Sequence, residues 1–581
     1  MMCCCVATLA GSASGATLSV TPSAVSNTYD GVLTLQVDGL TNGEQVIIQR
    51  YLDGNGNGVV DNGELLIDAF RIRDGGVSII GGVTNLNVPY DSNPATGAIT
   101  ATISFAVSLE SIVGRHLFRL VSPTTNFSPQ TTLFVVTNAA LAQSVSGTVF
   151  NGASPVANAV VVALAQPNNN FAGAVVADAG GQYLLKLRPG AYGLIPVRPD
   201  YYTDQSIAAL VTLTNGASAS ANLFLTNGSM ANVVSGQVYD ATNGNTLGGV
   251  FLQFDAGNLF AVAFTDKNGS YSAALSADSW RARPESDRLA RRAYVAPQGR
   301  VHVDLTAGSV GSIDFALPKA NALFYGRIAD NFNVPFANIG FFADDNNQFK
   351  ANGFSDTNGN YAVAVLGGTG EWNSSPSISD NAALVGYLVS SGIGGIDIQP
   401  GQAVHQDFVA ARATAEITGS LRDNLGRPVA GVSISGSARI GGIDLSSAAS
   451  TDGAGNYLLP AADGTWSVFV NCCGGDGLDS FGLYDPANNH VVSIPPENAV
   501  LDITVYPIGT PLLGQPARNA PNQIGFSLSG SIGSSYTIQA STNLSGSNWF
   551  DLFTINLSSS GMFLQDNQAT NQQRFYRARK N

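Results

Sequence analysis

The chain has 581 residues, a formal net charge of −14 and a pI near 4.6, with only 12% of its residues charged. An acidic balance gives no general attraction to nucleic acid or to an anionic membrane surface. The length excludes a single hydrophobic core and predicts about four to six domains, while the wealth of Gly, Ser, Thr, Asn and Val favours short strands and tight turns over long solvated helices.

Residues 1–16 are small and apolar and end in Ser14-Gly15-Ala16, a small-x-small cleavage pattern without a basic n-region. They read as a signal-peptide remnant, so the protein is expected to be secreted or at the cell surface. Cys3, Cys4 and Cys5 fall inside this segment, leaving Cys472 and Cys473 for the rest of the chain. Two adjacent cysteines are free thiols or a vicinal disulfide and cannot tie distant segments. The preferred reading is two small apolar residues beside the Gly474-Gly475 turn. No later stretch approaches ~18 uninterrupted apolar residues, so no membrane span is expected.

Residues 17–140 alternate in the manner of an Ig-like sandwich, with strands predicted at 33–37, 46–52, 65–72, 99–105 and 117–121. Between the second and third lies Asp53-Gly54-Asn55-Gly56-Asn57-Gly58-Val59-Val60-Asp61-Asn62-Gly63-Glu64, which matches a twelve-residue calcium loop. Asp53, Asn55, Asn57, Asp61 and Glu64 occupy ligand positions 1, 3, 5, 9 and 12, Val59 offers the position-7 carbonyl, and Gly58 sits at the sharp turn. Calcium is a hard cation that takes six to eight oxygens, and this set supplies them. The flanking segments read as strands, which predicts a calcium loop closing a β-hairpin in place of two helices. Three carboxylates and two neutral ligands suggest a structural Ca²⁺ clamp in the ~10⁻⁴–10⁻³ M range.

From about residue 141 a unit recurs four times, at 141–228, 229–319, 320–413 and 414–510. Each copy opens on a glycine in an alternating segment (Gly147, Gly236, Gly326, Gly419) and carries an Asp-x-x-Gly-x-Tyr turn (Asp178/Gly181/Tyr183, Asp266/Gly269/Tyr271, Asp356/Gly359/Tyr361, Asp452/Gly455/Tyr457). A further aromatic follows (Tyr192, Trp280, Trp372, Trp466), and each copy closes on Asn222-Leu223, Asp314-Phe315, Asp407-Phe408 or Asp502-Ile503. In the turn the Asp can cap through its side chain, the Gly can take positive φ, and the Tyr restarts a strand. About seven short strands per copy is the pattern of a β-sandwich. The echoes Asp266-x-Asn268-x-Ser270 and Asp356-x-Asn358-x-Asn360 are read as turns, not as cation sites.

Over residues 145–508 these motifs resemble the carboxypeptidase regulatory-like domains, transthyretin-like modules related to bacterial B-type surface repeats. The resemblance implies tandem Ig-like/transthyretin-like β-sandwiches in an all-β, elongated multi-domain chain, used as spacer, stabilising or binding modules. It carries over no catalytic residue. Some relatives cross-link themselves through a first-strand Lys; here Thr148, Gln237, Arg327 and Ser420 follow the opening glycines, so no such bond is expected. Residues 515–581 read as a small β module with strands at 524–528, 536–541, 549–555, 562–564 and 575–579, resembling a terminal module of large secreted bacterial proteins.

Little in the sequence suggests catalysis. His116, His302, His405 and His490 are scattered and no His-Glu-x-x-His spacing or phosphate loop occurs. The recurrent tryptophans invite a sugar-stacking role, but one repeated strand position argues for packing. The basic cluster Arg281, Arg283, Arg288, Arg291, Arg292 and Arg300, interleaved with Glu285 and Asp287, reads as a solvated surface loop. Short connections between copies predict modules in line as a semi-rigid rod. The expectation is therefore a non-enzymatic, monomeric extracellular spacer or adhesion protein meeting a surface glycan or other extracellular polymer. The alternatives are a carbohydrate-binding accessory protein and, more remotely, a hydrolase with a loop-borne active site.

Overall fold

A computed structural model describes residues 15–581 except 106–107, 167–169, 311, 346–347, 379–381, 473–476, 495–497, 531–532, 545–547, 559–560 and 571–572. The signal-like segment through Ser14, with its three cysteines, lies outside the described residues, as does Cys473. The fold is all-β and multi-domain, built of packed sheets; the helical elements among the described residues are short 3₁₀ turns. No described helix is long and apolar enough to cross a membrane. The chain forms two compact units, one of residues 1–385 and 391–410, the other of 386–390 and 411–581.

In the first unit the 17–140 segment is a sandwich. Thr17–Thr21, Val32–Asp38 and Ala98–Ser104 form one antiparallel sheet. Leu66–Arg73, Gln45–Leu52, Ile112–Val121 and Gln130–Thr137 form the other, with Ala24–Ser26 added in parallel at its edge. The alternation seen in sequence is the cause: Leu33, Leu35 and Val37 point inward to meet Ile48, Phe70, Phe118 and Phe134.

Each repeat has one topology. In the first, Ser144–Asn151 is flanked by antiparallel Gln182–Lys186 and parallel Leu223–Phe224. A second sheet runs Ala209–Leu213, Gly190–Val197, Val160–Ala165, Asn170–Val176. The second repeat pairs Ser229–Asp240 with Ser270–Leu275 and with parallel Phe315–Leu317, and the third pairs Ala322–Asp330 with Asn360–Val365 and parallel Phe408–Arg412. Consecutive repeats are also stitched by lent strands. Tyr201–Asp204, from the long connection of repeat 1, adds to Leu259–Phe264 of repeat 2, and Ala296–Pro297 of repeat 2 adds to Phe349–Phe354 of repeat 3.

Modules in line would place 17–140 against repeat 1 alone. Within this unit it instead touches three repeats. Val113 and Ile112 pair in parallel with Val175 and Ala174 of repeat 1, continuing one sheet into the other. Arg288, Arg291 and Arg292 of repeat 2 reach into it. Asn87 donates to the Ala362 carbonyl at 2.5 Å and Asn338 to the Asp30 carbonyl at 2.8 Å, binding repeat 3. Edge pairing and buried charge, neither visible in linker length, draw the modules together.

The second unit holds the fourth repeat, where Ala415–Asp423 is flanked by Asn456–Ala461 and parallel Ile503–Pro507, and the C-terminal module. The latter packs Gln523–Ser529 and Gly561–Asp566 over Ser535–Ser541, Phe550–Asn556 and Phe575–Lys580, around Phe526, Leu528, Tyr536, Ile538 and Leu564. Cys472 is disulfide-bonded, where the sequence left a free thiol and a disulfide both open.

Candidate functional sites

Three constructions recur or stand out: the knot that closes each repeat, the 53–64 loop, and a charged junction. In the knot, the Tyr hydroxyl of every Asp-x-x-Gly-x-Tyr turn donates at 2.7 Å to the carbonyl directly before the closing pair: Tyr183 to Ala221, Tyr271 to Ile313, Tyr361 to Gln406, Tyr457 to Leu501. The opening glycine lies beneath that same carbonyl, and a Cβ on Gly147, Gly236, Gly326 or Gly419 would collide with it. The closing Asn or Asp accepts from the backbone N–H after the glycine, as Asp314 does from Gln237 at 2.9 Å and Asp407 from Arg327 at 2.8 Å. The turn Asp accepts two backbone N–H groups, Asn358 and Asn360 in the case of Asp356, and its Gly359 has φ of 77°. Asp266 does the same with Asn268 and Ser270, so the turn reading of both echoes stands. The strand aromatics are packed: Trp280, Trp372 and Trp466 are fully buried and each donates its indole N–H to an upstream carbonyl.

The 53–64 loop joins Gln45–Leu52 to Leu66–Arg73, an antiparallel pair, and so closes a β-hairpin. Positive φ at Gly56, Gly58 and Gly63 winds it back on itself. Asp53 is buried; its Oδ2 accepts from the Gly58 N–H at 3.1 Å and from Arg115 Nε at 3.0 Å. Asp61 Oδ2 accepts from Asn55 Nδ2 at 2.9 Å and Asn57 Nδ2 at 2.5 Å, which lowers the Asp61 carboxyl from its usual value. Glu64 Oε2 accepts from the Asp61 N–H at 3.2 Å. Asp53 Oδ1 and Glu64 Oε1 are buried with no hydrogen-bond partner. Burial, followed by the Asp53 and Asp61 charges, raises the Glu64 carboxyl. Loop positions 1 and 12 thus each keep one oxygen free, as a cation would require. The side chains are not gathered into a finished centre: among the described residues no three His, Cys, Asp or Glu groups converge as a metal site. Arg115, which the sequence reading did not single out, meanwhile neutralises Asp53.

The third construction overturns an expectation. Of the basic cluster read as a solvated loop, Arg288, Arg291 and Arg292 are buried, while Arg281 stays exposed and pairs with Asp255 at 2.7 Å. Arg291 binds Asp68 and Glu110, both at 2.7 Å, and Arg292 binds Asp68 at 2.8 Å. Arg50 pairs with Glu110 and lies 5.3 Å from the ring centres of both Phe118 and Phe134. Arg288 donates to the Ile67 carbonyl. Burial alone would raise the Asp68 carboxyl, but Arg291, Arg292 and Arg288 overrule it and hold it far below the usual range. The sequence did carry a signal, since Arg50 stands next to the apolar Tyr51 and Leu52 and Asp68 next to Leu66 and Ile67, all of them buried. His116 sits in the same core, its Nε2 bonded to the Ile112 carbonyl; burial and the Arg50 charge keep it neutral. His302 and His405 are exposed, and His490 meets Asp485.

No family model matches the chain, and no curated protein matches it. Solved structures align with parts of it at low identity. The Bacillus anthracis TIE protein is 13% identical over 68% of this chain and 75% of its own, with a TM-score of 0.15. A streptococcal ancillary pilin is 10% identical over 48% of this chain and 92% of its own, with a TM-score of 0.16. The shaft pilin SpaA from Lactobacillus rhamnosus GG is 12% identical over 46% and 97%, with a TM-score of 0.13.

Proposed function

We propose that this chain is a non-enzymatic extracellular or cell-surface protein with a spacer or adhesion role, its four repeats being carboxypeptidase regulatory-like modules. One observation carries the reading. Every residue type that recurs through the repeats is committed to an internal bond: the opening Gly, the turn Asp and Gly, the Tyr, the buried aromatic and the closing Asn or Asp. A repeat kept for chemistry would repeat side chains that face a cleft; these repeat only what holds the sandwich. The carbohydrate-binding alternative loses its stacking platforms, because the repeated tryptophans lie inside.

The same proposal assigns a structural Ca²⁺ to Asp53, Asn55, Asn57, the Val59 carbonyl, Asp61 and Glu64. The two partnerless buried carboxylate oxygens support it. The ion would supply the charge that Arg115 now shares with Asp53 and would draw Asp61 from its asparagine partners. The role is tested by presenting the whole protein to immobilised extracellular polymers and glycans while assaying it for hydrolysis of the same materials. Retention without turnover is expected; turnover that survives repurification would overthrow the non-enzymatic reading.

A further inference from the structure

Where the 17–140 module, repeat 1 and repeat 2 meet, a cavity of about 650 Å³ opens. Two of its walls are strands apolar on both faces, where an antiparallel sheet ordinarily turns a polar face to water. In Val160–Ala165, Val161 and Ala163 fill the core of repeat 1, while Val162 and Leu164 on the other face line the cavity. In Leu259–Phe264, Ala261 and Ala263 fill the core of repeat 2, while Phe260, Val262 and Phe264 line it. Ile67 and Ile112 close the third wall from the 17–140 module. The repeat's fold does not demand such a face. Val162 pairs with Ile195 just past Tyr192, and the corresponding residue of repeat 4 is Ser435, which pairs with Phe469 just past Trp466. There Ile434 and Ala438 fill the core while Ser435 is exposed to water.

The charged side chains among the described lining residues are Arg283, Glu285, Asp287 and Arg288, so their charges cancel. Each is already engaged. Arg283 pairs with Glu285 at 3.7 Å and donates to Gln253 at 3.1 Å, and Asp287 accepts from Asn352. Arg288 donates to the Ile67 carbonyl, and its Nε and Nη2 are shut away from solvent, out of reach of anything inside the cavity. A carboxylate or ammonium entering here would give up its water without gaining a partner, at a steep cost. A hydrocarbon surface gains by leaving water, and apolar cavities in proteins take up uncharged molecules for that reason. Exposed Phe171 and Gln205 line the side that reaches solvent and leave a way in. A pocket of ~300–1,000 Å³ with mostly apolar walls is the usual form of a small-molecule site.

We infer that this cavity binds an uncharged, largely hydrocarbon small molecule, held between the three modules by the apolar outer faces of repeats 1 and 2. Because the walls come from three modules, the bound molecule also adds to what keeps them together, and it raises the melting temperature of the protein.

The test titrates the whole protein with N-phenyl-1-naphthylamine, an uncharged probe that fluoresces in apolar surroundings, and then displaces it with decan-1-ol or with decanoate below their aggregation limits. Saturable binding of one probe per chain is expected, with decan-1-ol displacing it at a concentration at least tenfold lower than decanoate. Val162→Trp fills the cavity and should weaken probe binding at least tenfold, whereas Ser435→Trp, at the matching position of repeat 4, should leave it unchanged. Leu164→Trp, from the same wall, takes the place of Val162→Trp if that variant does not fold. Absence of saturable probe binding overturns the inference. So does displacement by decanoate as effective as by the alcohol, undiminished binding by the folded filled variant, or an equal loss in Ser435→Trp.

Discussion

The knot of each repeat and the charged junction at repeat 2 fasten the molecule in opposite ways. The knot uses neutral groups, a hydroxyl, a carbonyl and a glycine, all within one sandwich and built alike four times. The junction uses charges brought from Arg50, Asp68, Glu110 and the 288–292 segment, and is built once. A neutral knot contributes modestly but fails sharply when its space is filled. A buried charge network stabilises little relative to an apolar core, yet removing one member strands the others. The knot therefore secures each module, and the junction fixes which modules sit together.

Filling the knot should have the largest effect. Gly326→Ala places a Cβ against the Gln406 carbonyl, so opening and closing strands must separate; a loss of about 5 kcal/mol or more in repeat 3 is expected, near the upper end for a single substitution. Calorimetry that leaves repeat 3 intact with a loss below about 1 kcal/mol would show the parallel pairing to be slack. Next comes Asp68→Asn, which strips Arg291 and Arg292 of their shared carboxylate and should cost about 3–5 kcal/mol. Because the Asp68 pKa is depressed in the fold, its contribution is present above the unfolded value of about 3.9 and fades as the pH falls below it. Acid melts of the native protein and the variant should thus converge toward low pH. If they stay parallel, the carboxylate is not the group holding the junction.

These two regions also divide what the sequence reveals from what it conceals. The Gly, Asp-x-x-Gly-x-Tyr and closing Asn/Asp pattern is legible because the same local geometry demands the same residue at the same spacing four times. The strand alternation of 17–140 and 515–581 is legible for a similar reason, since one buried face imposes a period of two. The junction is not, because Arg50, Asp68, Glu110 and Arg291 meet only after the modules dock, and spacing in the chain carries no trace of that. Interleaved Glu285 and Asp287 make the arginine segment look solvated, yet those acids are only half-buried while Arg288, Arg291 and Arg292 are buried. The calcium-type loop is intermediate. Its hairpin and ligand types follow from the sequence, whereas the competition from Arg115, which lies 62 residues away in the chain, does not.

A smaller effect separates the knot's hydrogen bond from its sterics. Tyr361→Phe keeps the ring stacked on Phe341 at 3.9 Å but leaves the Gln406 carbonyl unpaired, for an expected loss of about 1–3 kcal/mol. A loss as large as that of Gly326→Ala would mean that the hydroxyl, and not close backbone approach, holds the strands.

The smallest expected effect belongs to the loop, and it bears on whether a third kind of fastening, an ion, joins the other two. With a dissociation constant near ~1 mM, 10 mM Ca²⁺ adds about 1.4 kcal/mol to the folded state. The increment should depend on pH in a definite direction. Glu64 has a raised carboxyl in the ion-free fold, so its contribution is present at low pH and is lost as the pH rises through that raised value. Protons and Ca²⁺ compete for the same oxygen, so the calcium-dependent rise in melting temperature should grow as the pH rises through the raised Glu64 value and fade as the pH falls below it. Arg115→Ala removes the cation that now shares Asp53, and should tighten Ca²⁺ binding while lowering stability in its absence. A pH-independent increment, or one that persists in the Asp53→Ala, Glu64→Ala double variant, would place the ion elsewhere and leave the loop closed by Arg115.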